Sequence, residues 1–148
     1  MKKRAAPEPV RILLIEDDAS FVYLLRRALD ADNFHYELTI LDDGAKALAF
    51  FRKQGKYAHE AQPDLIVMDL HLPKSDGIEI LEEIRGSAAF GALPVAVLSS
   101  VMPPEEKNRM EALKATCFIT KPQDLDEFSM VGKRIRQLAI EGKAKAAP

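Results

Sequence analysis

The feature that most constrains this chain is a rhythm in which five short apolar runs alternate with segments of helical periodicity. The runs are "VRILLI" (10 to 15), "YELTIL" (36 to 41), "LIVM" (65 to 68), "PVAVL" (94 to 98) and "CFIT" (117 to 120). "LIVM" has no polar position, as expected of a strand buried on both faces, whereas "YELTIL" alternates. Pro94 is tolerable because it opens its run. Between the runs, Val22, Leu25 and Leu29 fall on one helical stripe, with Phe21, Leu24 and Ala28 beside it. Ala47, Leu48 and Phe51 mark a second helix, with Gly55 as its stop. Ile78, Leu81 and Ile84 mark a third. Pro103-Pro104-Glu105-Glu106 is a helix opening, because proline fits the first turn and acids face the positive end of the dipole. Leu125, Phe128, Val131, Ile135 and Leu138 form the stripe of a last helix. Strands each followed by a helix predict an α/β fold, a doubly wound five-stranded parallel sheet.

A chain of 148 residues fits one such domain. The expected domain runs over 10–141, with flexible tails at 1–9 and 142–148 and no fused output domain. With 47% hydrophobic and 30% charged residues the chain is globular, and a net charge of −2 gives no case for nucleic acid or an anionic membrane as partner. A single cysteine, Cys117, excludes an internal disulfide and fits a reducing compartment. No apolar run reaches the length of a membrane span, and "MKKRAAPEPV" lacks the apolar core of a secretory signal. A cytoplasmic protein is the expectation.

In an open parallel sheet, ligands bind beyond the carboxyl ends of the strands, so the residues ending each run matter most. Those residues are Glu16-Asp17-Asp18, Asp69, Ser99-Ser100 and Thr120-Lys121. Each has a plain structural explanation. Asp17 or Asp18 can cap a helix, Asp42-Asp43 with Gly44 read as turn and cap, Ser99 or Ser100 can open a helix, and a lone lysine is usually solvated. What is hard to reach by accident is the combination on one rim. Glu16, Asp17 and Asp69 together would raise one another's pKa unless a cation sits among them, and all-oxygen donors favour Mg²⁺ over zinc. An aspartate can act as nucleophile toward phosphorus, Lys121 and Ser99 can hold phosphoryl oxygens, and no glycine-rich nucleotide loop is present. The chemistry read from these residues is phosphoryl transfer onto Asp69.

The motifs "LLIEDD", "LIVMDLHLPKSDG", "VLSS" and "FITKP", in this order over nearly the whole chain, resemble the response-regulator receiver domains of two-component signalling. That resemblance implies a flavodoxin-like receiver fold with strand order 2-1-3-4-5. It implies Asp69 as phosphoacceptor, Asp17 as direct metal ligand, Glu16 as second acid acting through metal-bound water, and His71 as a backbone-carbonyl ligand to Mg²⁺. It also implies Ser99 as switch hydroxyl, Lys121 as phosphate-binding lysine and Phe118 as the aromatic that changes rotamer. Pro73, Gly77 and Pro122 support the turns, with a cis bond before Pro122. The stretch "LDDGAKALAFFRKQGKYAHEAQPDLIVMDLHLPKSDG" is more narrowly similar to stand-alone receivers that partner bacterial phytochromes. The implied partners are a sensor histidine kinase of phytochrome type, a downstream protein target and a second copy, with Met110, Leu113 and Met130 as dimer contacts or core. Phe118 lacks a tyrosine's hydroxyl, and His71 is either a loop residue or one that reaches attacking water. Two other functions compete. A haloacid-dehalogenase-type phosphatase would need an aspartate where His71 stands and metal acids after the lysine. An interaction module that is never phosphorylated would usually have lost the acids, the acceptor or the lysine.

Overall fold

The computed structural model describes residues 8–72 and 75–146. Strands β1 (Val10–Ile15), β2 (Tyr36–Leu41), β3 (Leu65–Asp69), β4 (Val95–Ser99) and β5 (Cys117–Thr120) form one parallel sheet in the order 2-1-3-4-5. Helices α1 (Ala19–Leu29), α2 (Gly44–Phe51), α3 (Gly77–Gly86), α4 (Pro104–Ala112) and α5 (Leu125–Ala146) connect and close it. This is the expected flavodoxin-like architecture, and all its strand ends share one edge.

Pleat alternation divides the core into two layers. Leu13, Ile15, Ile66, Met68, Val95 and Val97 face a layer with buried residues of α2, α3 and α4. Ile12, Leu14, Leu65, Val67, Ala96 and Leu98 face Phe21, Leu25 and Leu29 of α1 and Phe128, Val131 and Ile135 of α5. Each such side chain contributes about 1.5–3 kcal/mol on burial, so β3, buried at every position, is firmly held. Helix α4 is anchored least: Met110 is its one buried residue, and its N-cap position, Pro103, makes no capping hydrogen bond.

Several expectations need correction. Helix α2 stops at Phe51 rather than near Gly55, because Lys53 takes a left-handed φ of 53° and breaks the helical hydrogen-bond run. A two-residue ribbon pairs His71–Leu72 with Ser75–Asp76 after β3, a pairing too short for periodicity to reveal. Pro73 lies outside the described residues. The segment from 142, read as a flexible tail, is helical to Ala146. It holds because Gly142 is buried against the backbone of Asp64, whose carboxylate in turn accepts the Arg11 amide at 2.8 Å. No described peptide bond is cis, so Lys121–Pro122 is trans, the isomer favoured by about 0.5–1 kcal/mol for X–Pro bonds.

A Cβ at position 142 would overlap the Asp64 carbonyl oxygen. Helix propensity alone predicts that Gly142→Ala stabilises, by up to about 1 kcal/mol. The contact predicts the opposite: a loss of about 1–3 kcal/mol and a melting temperature lower by several degrees in a thermal scan. A rise would contradict the packing of α5 against the strand edge.

Candidate functional site

The carboxyl edge of the sheet gathers four predicted residues into one cluster. Glu16, directly after β1, is 1% exposed, and Asp69, the last residue of β3, is 4% exposed. Asp17 stands beside them in solvent, and one carboxylate oxygen from each of the three can be chosen so that all lie within 4.8 Å of one another. Lys121, just past β5, reaches across with its Nζ 2.9 Å from Asp69 Oδ2 and 3.2 Å from Glu16 Oε1. Glu16 Oε2 is 3.0 Å from the same nitrogen but badly aligned, so that buried oxygen has no hydrogen-bond partner.

Local backbone fixes these side chains. The Asp18 amide donates to Glu16 Oε1 at 3.2 Å, while the Asp18 carboxylate caps α1 through the amides of Ser20 and Phe21. The His71 amide donates to Asp69 Oδ1 at 3.0 Å, and the His71 side chain is exposed. Gly77 is required by a close approach, because a Cβ there would meet the Leu70 carbonyl oxygen at 2.7 Å. Asp76 caps α3 through the Ile78 amide.

The charges are unequal to their surroundings. Burial chiefly pushes the Glu16 carboxyl up to about 7; the Lys121 hydrogen bond pulls it back and the charge of Asp69 adds to the rise. For Lys121, burial works against the ammonium, but hydrogen bonds to Asp69 and Glu16 outweigh it and its pKa is raised. Two buried carboxylates thus share one cation, leaving an acceptor oxygen and an exposed third acid. This all-oxygen set, in which a buried Glu16 oxygen has an ion pair but no hydrogen bond, fits a hard divalent cation.

Other predicted residues sit near the cluster but outside it. Ser99 ends β4 and is 4% exposed, and its hydroxyl both donates to the Val101 carbonyl and accepts the Val101 amide at 3.2 Å. Phe118 points to the opposite face of the sheet from Ile119, half-buried against the α2–α3–α4 layer. The Lys107 ammonium stands 5.6 Å from its ring centroid. Pro122 is half-buried beside Lys121. Asp43 caps α2 and Asp42 pairs with Lys46, as the turn reading had it. Met110 is fully buried, which removes it as a dimer contact, whereas Leu113 packs on the core but is only partly buried and Met130 is 70% exposed. Sequence reasoning assigned no site role to Phe21, whose ring centroid lies 5.1 Å from Lys121 Nζ, or to Lys107. Phe21 was visible only as a helical-stripe residue, and no periodicity marks it as a neighbour of residue 121.

A family model for the response regulator receiver domain matches residues 12–131, and the chain belongs to that family. It is a family of signalling domains rather than of ordinary enzymes. Response regulator Rcp1 of Synechocystis sp. is 38% identical over 124 residues, spanning 83% of this chain and 84% of its own. The structure of the phosphorylated cyanobacterial phytochrome response regulator RcpA superposes with a TM-score of 0.83 at 33% identity, covering 90% of this chain and 95% of that one. The Mn²⁺-bound form of Rcp1 gives 0.80 at 34% identity, covering 87% and 93%. Receiver domains hold Mg²⁺ or Mn²⁺ in an acidic pocket, and this chain has an acidic cluster of Glu16, Asp17 and Asp69 that could hold such an ion. Among the described residues, no helix is long and apolar enough to cross a membrane.

Glu16 gives the site a pH signature. A carboxyl with a raised folded-state pKa favours the folded state at low pH, and that contribution is lost as pH rises from about 4.5 through 7. In metal-free buffer, wild type should lose about 2 kcal/mol of stability between pH 5 and pH 8 relative to Glu16→Gln. Parallel denaturation curves for the two proteins across that range would contradict the raised value.

Proposed function

We propose that this chain is a response regulator that takes a phosphoryl group onto Asp69 from a sensor histidine kinase in the cytoplasm, and that the kinase is of the phytochrome type. The observation carrying this reading is the Lys121 ammonium held between buried Asp69 and Glu16, with Asp17 beside them. The two cyanobacterial relatives, one named as a phytochrome response regulator and phosphorylated in its structure, support both the acceptor chemistry and the kinase class.

A carboxylate oxygen of Asp69 attacks the phosphorus of the kinase's phosphohistidine. The new O–P bond forms as the P–N bond breaks, and the electron pair leaves with the imidazole. When bound, Mg²⁺ on Glu16, Asp17, Asp69 and the His71 carbonyl would neutralise phosphoryl oxygens and keep the acids ionised. Lys121 exchanges its carboxylate partners for a phosphoryl oxygen, and the His71 amide holds the acceptor in line. Ser99 turns from the Val101 carbonyl to donate to another phosphoryl oxygen, releasing the β4–α4 loop. Phe118 then moves inward and away from Lys107, changing the surface of α4, β5 and α5 seen by a downstream protein or a second copy. The weak anchoring of α4 favours this response.

Incubated with Mg²⁺ and a small phosphodonor, the wild-type protein should gain the mass of one phosphoryl group, while Asp69→Asn or added chelator should abolish the gain. Lys121→Ala should keep part of the labelling yet lose the change in amide-exchange protection over α4 and β5. Equal labelling of Asp69→Asn, or an unchanged response in Lys121→Ala, would contradict these roles. Sustained turnover of a phosphomonoester would instead favour the phosphatase reading.

A further inference from the structure

At the opposite edge of the sheet lies a groove of about 470 Å³, between the α3–β4 loop, the α4–β5 loop and the last turns of α5. Its floor carries Ala89, Leu93 and Leu138, and its polar margin carries Arg85, Lys114, Lys145 and Glu141. We infer that this groove binds a small organic anion with a compact apolar body, its negative group seated among Arg85, Lys114 and Lys145.

Arg85 carries the argument. Its Nε donates to the Leu113 carbonyl at 2.8 Å, Nη1 to those of Gly91 at 3.1 Å and Leu93 at 2.7 Å, and Nη2 to that of Lys114 at 2.8 Å. Four of the guanidinium's five N–H groups are therefore used, and every partner among the described residues is a neutral carbonyl. The charge is half-buried and forms no ion pair with a carboxylate among the described residues, and burial pulls its pKa below the usual arginine value. A staple for two loops explains the four bonds, and the carbonyl ends of α3 and α4 offset part of the charge, while the fifth N–H has no partner among the described residues.

The surroundings add to that charge. Lys114 and Lys145 bring two more cations, while Glu141, the one acid of the lining, accepts a hydrogen bond from Gln137. The lining is thus net positive in a chain of net charge −2. The same four bonds hold both loops in place, and the α5 wall is fixed by Gly142 on Asp64, so the cavity is preformed. Its volume falls in the range of small-molecule sites, roughly 300–1,000 Å³, and its small side chains leave room for an apolar body.

The test is a titration of the full chain with 8-anilinonaphthalene-1-sulfonate, an apolar ring system carrying one anionic group, followed by fluorescence and by amide chemical shifts. With no tryptophan in the chain, the fluorescence is free of that interference. Shifts should concentrate in residues 88–94, 113–116 and 138–146. Lys114→Glu combined with Lys145→Glu should weaken binding at least about tenfold. Lys133→Glu, exposed elsewhere on α5, should leave it unchanged. The uncharged N-phenyl-1-naphthylamine should bind without regard to the lysine substitutions. Shifts centred on another surface or equal affinity in the double variant would each overturn the assignment.

Discussion

The site depends on one lysine standing between two carboxylates that the core has largely removed from water. Glu16 and Asp69 are delivered by neighbouring buried strands and could not both stay ionised there without compensation. Lys121 supplies it from the strand end on the other side of β4. Removing one partner from such a group leaves an uncompensated buried charge, a change of roughly 3–5 kcal/mol. The same arrangement is poised for change, since any new anion beside Asp69 competes for that ammonium.

The rest of the fold holds this geometry still while allowing one flank to move. Strand β3 is buried at every position and fixes Asp69, and Gly77 lets α3 begin against the Leu70 carbonyl oxygen. The β4–α4 side is looser: the Ser99 hydroxyl bonds within its own loop, and Met110 is the buried residue of α4. Rigidity beside Asp69 and weak anchoring next to it is what the proposed phosphorylation-driven rearrangement requires.

Most of the fold was legible because its signals are local. Apolar runs, a helix-opening Pro-Pro-Glu-Glu and turn aspartates locate the elements, and parallel topology then gathers the strand-end residues without any pairwise prediction. Glu16, Asp17, Asp69 and Lys121 were found this way. What escaped depends on contacts between residues distant in sequence. The ordered end of α5 rests on Gly142 meeting Asp64, while "EGKAKAAP" by itself has the composition of a solvated tail. Phe21 beside Lys121, Lys107 over Phe118 and Arg85 binding two loops are likewise tertiary facts. The inward-facing residues of α4 were also ambiguous, because a nine-residue helix with one buried position gives no stripe to read.

The claim that Asp69 is the acceptor is tested most directly by locating the modified atom. Borohydride reduction of the phosphorylated protein converts an aspartyl phosphate to homoserine, and peptide mass spectrometry then reads its position. The account predicts homoserine at position 69 alone. Homoserine at position 17, a glutamyl product at position 16, an acid-stable phosphate on Ser99, or an acid-labile, base-stable phosphate on His71 would contradict it.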